Sequence, residues 1–218
     1  MTMPFDRILA RDRIVEAALP HIPFDGWSLP VLARAAEEAG YPPATALRVF
    51  PNGVNDALAH WCAMSDRAMV AACEADPEFA GLKIREKIAR AIRLRLAPLA
   101  PHREAVRRTL GLMALPGNLP LSMRTLWATV DAVWQLAGDR ATDFNYYSKR
   151  GLAAGVYSST LLFWLEDRSE GQADTWEFLD RRIADVMAVP RAMADAKARL
   201  GKLANPFAGL AAKFRKTG

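Results

Sequence analysis

The sequence predicts an all-α bundle, and three observations carry that reading. Apolar residues recur at spacings of three and four through most of the chain, and no stretch alternates as a strand would. Proline, glycine and short capping residues separate these periodic stretches at helix-like intervals. The run from Gly151 to Leu165 holds no charged residue, which predicts a central helix buried on all sides.

Taken in order, Ile8, Ile14, Val15, Ala18 and Leu19 give the first helix an apolar stripe, closed by Pro20 and Pro23. Ser28 caps a second helix, with Pro30 in its first turn and Gly40 just past its end. A short third helix runs from Pro43 to Phe50 and stops at Pro51-Asn52-Gly53. Helix, tight glycine turn, short helix and long helix make helix-turn-helix order. With Leu32-Ala33, Ala36, Ala39-Gly40, Thr45, Arg48, Phe50 and Pro51 in place, this stretch resembles the DNA-binding module of TetR regulators.

The departures from that module matter more than the match. Recognition helices need donors for base edges and cations for phosphates. Pro43 to Val49 offers one Arg and one Thr, and Leu47 and Gly53 stand where the regulators usually carry a phosphate-binding Tyr and Lys. The expectation is a retained scaffold without specific nucleic-acid binding.

A fourth helix spans Val54 to Ala75 with Leu58, Trp61, Met64, Ala68 and Met69 or Ala72, ended by Asp76-Pro77. The fifth, Lys83 to Leu99, aligns Ile84, Ile88, Ile92, Leu96 and Leu99. Its other faces carry Lys83, Arg85, Lys87, Arg90, Arg93 and Arg95 against Glu86, and a sixth helix, His102 to Leu115, adds Arg103, Arg107 and Arg108. That basic surface reads either as a solvated face or as a contact for an anionic surface. After Pro116-Gly117-Asn118 a seventh helix aligns Met123, Leu126, Trp127, Val130, Val133, Trp134 and Ala137, ended by Gly138 as a C′ residue. Thr142 or Asp143 suits the cap of the central helix, and Asp174-Thr175 the cap of a ninth helix with Trp176, Leu179, Ile183 and Met187.

At 218 residues, with 51% hydrophobic and 9% aromatic residues, the chain has enough apolar matter for a substantial core and is not a disordered sequence. A net charge of +5 favours anionic partners without choosing among nucleic acid, lipid and protein. Cys62 and Cys73 lie on one helix, roughly 16 Å apart by helical rise, too far to bridge. Unpaired thiols, no secretory h-region and no run near a membrane span together read as a cytoplasmic protein.

The junction Gly138-Asp139-Arg140-Ala141-Thr142-Asp143-Phe144-Asn145-Tyr146-Tyr147-Ser148-Lys149-Arg150 concentrates aromatic, acidic and amide side chains. By pattern alone it is a capped turn with half-buried tyrosines. Together with Met113-Ala114-Leu115-Pro116-Gly117-Asn118-Leu119-Pro120, with Val133-Trp134 before Ala137-Gly138-Asp139, and with Asp174-Thr175-Trp176-Glu177-Phe178-Leu179, it resembles a ubiquinone (coenzyme Q) biosynthesis accessory family. The resemblance covers most of the region from Met113 to about Met187. It implies a TetR-like fold, lipid binding rather than catalysis, and assistance to a di-iron hydroxylase of a ubiquinone precursor at the inner membrane. It places Asp143, Tyr146 and Tyr147, with Asn145 and Arg150 beside them, at the hydroxylase contact. By analogy with TetR proteins it also implies a homodimer.

No catalytic constellation competes with that reading. His21, His60 and His102 are scattered without ligand spacing, and no phosphate loop, dinucleotide fingerprint, nucleophile elbow or Cys-x-x-Cys occurs. No cofactor or metal is expected. Ser158, Ser159 and Thr160 are read as bonding back to the preceding turn. Candidate walls for an apolar ligand, an isoprenoid quinone or a phospholipid, are Leu112, Met113, Trp127, Val130, Trp134, Tyr157, Leu161 and Trp164. Such side chains at helical spacing are first of all core, and the resemblance is what selects the lipid reading.

The tail follows Pro190. Leu203, Phe207, Leu210 and Phe214 form one apolar face, Lys213, Arg215 and Lys216 supply cations, and no acid follows Asp195. This is the composition of a helix lying on anionic headgroups; a tail packed over the pocket or a disordered end are the other readings. The expected organisation is a helix-turn-helix-like module over 1–55, a lipid-binding helical domain over 56–190 and a flexible linker with an amphipathic membrane-binding tail over 191–218. The rival function is a TetR-type transcriptional repressor that senses an apolar ligand.

Overall fold

The computed structural model describes residues 6–138 and 144–187. Every regular element among them is helical: α1 (Arg7–Ala18), α2 (Ile22–Asp25), α3 (Leu29–Glu38), α4 (Thr45–Val49), α5 (Val54–Ala75), α6 (Ile84–Leu96), α7 (Arg103–Met113), α8 (Leu119–Leu136), α9 (Phe144–Glu166) and α10 (173–187). Short 3-10 turns link several of them. The all-α expectation holds, with α2 an unforeseen extra turn of helix between Pro20 and Gly26.

Local chemistry explains most boundaries. Asp6 Oδ1 accepts from the backbone N–H groups of Ile8 and Leu9, and Ser28 Oγ from that of Val31, so two orphan ends are capped. Gly40 and Gly138 adopt φ of 81° and 87° just past α3 and α8, the left-handed turn that ends a helix most cheaply in glycine. Gly53, before α5, has φ 61°, and a Cβ there would stand 3.0 Å from the Leu29 side chain. A lysine at that position would be strained at this φ and would press on the exposed Leu29 side chain.

α1 packs on α3, α4 and α5, and α2 lies against α7. Long α5 packs on α6 and α8, and α8 carries α9. The core is one cluster from Ala10 to Ile183, continuous across the expected boundary at residue 55. Trp27 is one tie across it: its Nε1–H donates to Thr109 Oγ1 at 2.7 Å, and its ring lies 5.8 Å from that of Trp61. His60 is another, 2.6 Å from Asp12, which also accepts from Arg67.

The central helix differs from expectation in two ways. It begins at Phe144, not Gly151, because α8 accommodates the charges of its first turns. Arg150 is 2% exposed and pairs with Asp131 at 2.5 Å, while Lys149 lies over the Trp134 ring. Nor is α9 buried all round: Val156, Leu161 and Trp164 face the core, whereas Gly151, Gly155 and Leu162 form an exposed strip. Absence of charge marks a helix that avoids solvating charges, not one enclosed on every side.

Some stripe positions also differ. Ile8, Ile84 and Met123 are exposed, each lying in the first turns of its helix beyond the packed neighbours. The basic surface of α6 and α7 is largely paired within the chain: Arg90 with Asp76, Arg93 with Asp180, Arg107 with Glu104 and Glu166, Arg108 with Glu104. Those acids lie on other elements or turns, which sequence proximity to Glu86 did not show.

Helix α10 starts on an acid outside it. Asp167, 7% exposed, accepts from Ser169 N and Oγ and from Thr175 N and Oγ1, at 2.5–2.9 Å. The expected cap, Asp174-Thr175, thus receives its carboxylate from Asp167 through a tight turn in which Gly171 and Gln172 have φ of 61° and 59°. Burial pushes the Asp167 carboxyl up, but the four hydrogen bonds outweigh it and hold it at about 2. With an unfolded value of about 3.9, this stabilisation is fully present above that pH and fades as pH falls through about 2. Asp167→Asn is expected to cost about 1–2 kcal/mol at neutral pH and to flatten the acid limb of stability below pH about 4. Urea unfolding at a series of pH values measures both; equal stability of variant and parent at neutral pH would remove Asp167 from this role.

Candidate functional site: a cavity with one polar end

A cavity of about 330 Å³ lies between α5, α6, α7, α8 and α9. Most of its wall is apolar: Trp61, Leu99, Val106, Leu110, Met113, Leu126 and Leu161. Leu119 and Leu162, 50% and 60% exposed, mark the rim. Opposite in character is the end formed by Arg95, Thr129 and Tyr157, all buried.

That end is a hydrogen-bonded cluster drawn from four helices. Arg95 on α6 donates from Nε to Asp66 Oδ1 on α5 at 2.7 Å. Its Nη1 donates to the Tyr157 hydroxyl on α9 at 2.5 Å, and its Nη2 to Thr129 Oγ1 on α8 at 3.3 Å. Thr129 in turn lies 3.0 and 3.1 Å from the two Asp66 oxygens. Burial works against the Arg95 charge, yet its pKa is raised, because Tyr157 and Asp66 together outweigh the desolvation. Burial pushes the Tyr157 hydroxyl up to about 12, so it keeps its proton at neutral pH.

The eight wall residues expected from sequence divide. Met113, Tyr157 and Leu161 line the cavity. Leu112, Trp127, Val130, Trp134 and Trp164 do not; Val130, Trp134 and Trp164 are packed into the core elsewhere. Trp134 spends its indole N–H on the Lys149 carbonyl at 3.2 Å, and Trp164 lies under the Arg103 guanidinium. Helical spacing identifies a shared face but not which neighbouring helix leaves a gap beside it. The polar end was missed, although Arg95 falls three residues after Ile92 and four before Leu99, on the apolar stripe itself. Asp66 sits likewise between Cys62 and Met69 on α5.

Of the expected partner-contact residues, Asn145, Tyr146 and Tyr147 fall in the first turns of α9, and their side chains lie outside the described residues, as does Asp143 altogether. Arg150 is buried and pairs with Asp131, which ties α9 to α8. The proposed membrane face, Leu203, Phe207, Leu210, Lys213, Phe214, Arg215 and Lys216, lies outside the described residues.

Reactive groups elsewhere are tied into structure. His21 meets Glu38 at 2.8 Å and His60 meets Asp12. Burial raises the Cys62 and Cys73 thiols, the latter to about 11, so neither is a ready thiolate. Ser159 bonds back to the Gly155 carbonyl at 2.8 Å as expected, whereas Ser158 lines the cavity and the buried Thr160 hydroxyl finds no partner among the described residues. Among the described residues no group of three His, Cys, Asp or Glu is placed to hold a metal, and no helix is long and apolar enough to cross a membrane.

The fold defines the class first. The bundle is similar to a solved TetR transcriptional regulator from Nitrosomonas europaea ATCC 19718, with a TM-score of 0.64 over 81% of this chain and 97% of that one, at 23% identity. This is a TetR-type helical fold with a mostly apolar cavity at its centre. The sequence then gives the family. Residues 119–190 match the COQ9 family model. The chain is 34% identical over 181 residues to the rat "Ubiquinone biosynthesis protein COQ9, mitochondrial", covering 80% of this chain and 58% of that protein. The human protein of the same name is 33% identical over 181 residues, and the Dictyostelium discoideum "Probable ubiquinone biosynthesis protein coq9, mitochondrial" 29% over 200. By these matches the chain is a relative of the COQ9 proteins, the group its motifs resemble, and it spans somewhat more than half the length of the curated relatives it matches.

The TetR likeness shows the fold alone, and the side chains of α4 are what bear on DNA reading. In α4, Thr45 is 3% exposed and so withdrawn from any groove, while Leu47, 55% exposed, presents an apolar side chain outward. Phosphate contacts supply most nonspecific affinity and falter at physiological salt when few. Selection from random duplexes at about 150 mM salt is expected to enrich no sequence. A recovered palindrome would instead mark a repressor.

Proposed function

We propose that this chain is a non-catalytic lipid-binding accessory protein of ubiquinone biosynthesis. It holds an isoprenoid quinone or a phospholipid in the central cavity and assists a di-iron demethoxyubiquinone hydroxylase at the inner membrane. The observation that carries the reading is the cavity: largely apolar walls, an exposed apolar rim and a single polar end. Ligand sites between bundle helices have that composition, and about 330 Å³ is at the small end of their range. The polar groups of the Arg95 end are engaged with one another, and among the described residues none of them is a nucleophile with a base beside it, which suits holding a ligand rather than converting it.

Three further elements of the reading draw on the family likeness. The tail over 191–218 is the peripheral anchor to anionic lipid. Asp143, Asn145, Tyr146 and Tyr147 form the contact with the hydroxylase, with Arg150 beside them in the sequence. A homodimer fits the exposed Gly151 and Gly155 on α9.

Mass spectrometry of organic extracts tests the core of this proposal. Protein purified without detergent is expected to carry an isoprenoid or diacyl lipid in near-stoichiometric amount, depleted when Leu161→Trp fills the cavity. Extracts no richer in lipid than those of an unrelated helical protein would contradict it.

A further inference from the structure

Most of the hydroxyl and carboxylate capacity of the Arg95 cluster is used internally, but the Tyr157 proton is left over. The Tyr157 hydroxyl accepts from Arg95 Nη1, and no acceptor for its own proton stands within hydrogen-bond distance among the described residues. A phenol can both accept and donate, and a buried donor left unpaired is costly. Tyr157 is 6% exposed and lines the cavity together with Arg95 and Thr129, so the cavity is the space beside it in which an acceptor can stand. Accepting a charge-assisted bond polarises the O–H and makes it a better donor.

Charge narrows the ligand further. Arg95 is the one charged residue in the lining, and Asp66 neutralises it at 2.7 Å. The cluster therefore has no uncompensated cation for a phosphate, and a second anion brought beside Asp66 would meet repulsion in a poorly solvated site. A neutral oxygen acceptor meets neither obstacle. The positions of rim and end set the direction: Leu119 and Leu162 are exposed, whereas Arg95, Thr129 and Tyr157 are 6%, 2% and 6% exposed.

Building on the lipid-binding reading above, we propose that Tyr157, held by Arg95, is the specificity residue of the cavity. It donates a hydrogen bond to a carbonyl oxygen on the neutral head of an amphiphile that enters head first. The cavity then selects a quinone-like or other carbonyl-bearing head over a phosphorylated one. The head and the first part of the chain fill the cavity, and a longer chain leaves past Leu119 and Leu162. Burial keeps the Tyr157 proton in place, with its pKa raised to about 12, so the donor persists through the neutral range.

Calorimetric titration of the full chain with three probes of equal chain length tests this: an alkyl-p-benzoquinone, the matching alkylbenzene without oxygen, and the matching alkyl phosphate. The parent protein is expected to bind the quinone most tightly. Tyr157→Phe is expected to weaken quinone binding roughly fivefold to tenfold, the worth of one hydrogen bond, and to leave alkylbenzene binding unchanged. An infrared spectrum of the quinone bound to the parent protein gives a second readout that needs no variant: its carbonyl stretch should fall below its frequency in an alkane solvent. Equal quinone affinity in both proteins, or an unshifted carbonyl, would overturn the role of Tyr157 while leaving the lipid cavity standing. Tighter binding of the alkyl phosphate than of the quinone would overturn the neutral-head selection. If none of the three probes bound the parent, the cavity reading and this inference would fail together.

Discussion

The pairing of Arg95 with Asp66 is the constraint that gives the cavity its polar end. It joins α5 to α6 directly, and through Thr129 and Tyr157 it reaches α8 and α9, so four helices converge on one guanidinium. Such a pair is an expensive way to hold a bundle. Desolvating two charges costs several kcal/mol, and apolar side chains of similar volume are often as stabilising or more so. What the pair supplies that leucines would not is a fixed polar end inside an apolar cavity. The Tyr157 hydroxyl, which lines that end, then keeps a proton with no acceptor among the described residues.

This cluster also explains how a TetR-type frame can serve a different purpose. The N-terminal helices are retained as structure: Trp27 bonds to Thr109, and Asp12 holds both His60 and Arg67. Gly53 is fitted to Leu29 where a phosphate-binding lysine would strain the turn. The cations of α6 and α7 are largely spent on acids within the chain, which leaves little of the basic surface that composition alone suggested. The fold is shared with a regulator, and the proposed function draws on its interior and not on its outer surface.

Helix existence was legible because its signals are local. Ser28, Gly40 and Gly138 announce ends through caps and left-handed turns, and the three- and four-residue spacing of α5 to α9 follows from a single buried face. The cap of α10 was not, since its carboxylate comes from Asp167 across a tight turn. The cavity was only partly legible. On α9 Tyr157 and Leu161 share helical spacing with Trp164, and only tertiary placement separates wall from core. Arg95 was read among basic neighbours, although its position on the Ile88–Ile92–Leu99 stripe placed a charge in the core. A charge on an apolar stripe must find a partner, and Asp66 occupies the same kind of position on α5.

One measurement bears most directly on the claim that the ion pair serves the ligand rather than the fold. In Asp66→Leu with Arg95→Met, both charges are replaced by apolar side chains of similar volume, so neither is left stranded. The quantity to read is the affinity of this double variant for an alkyl-p-benzoquinone, with its melting temperature taken on the same sample. The account predicts a melting temperature equal to or above that of the parent together with quinone binding weakened several-fold, because Tyr157 is no longer polarised and positioned. Quinone binding as tight as the parent's in a well-folded double variant would contradict it.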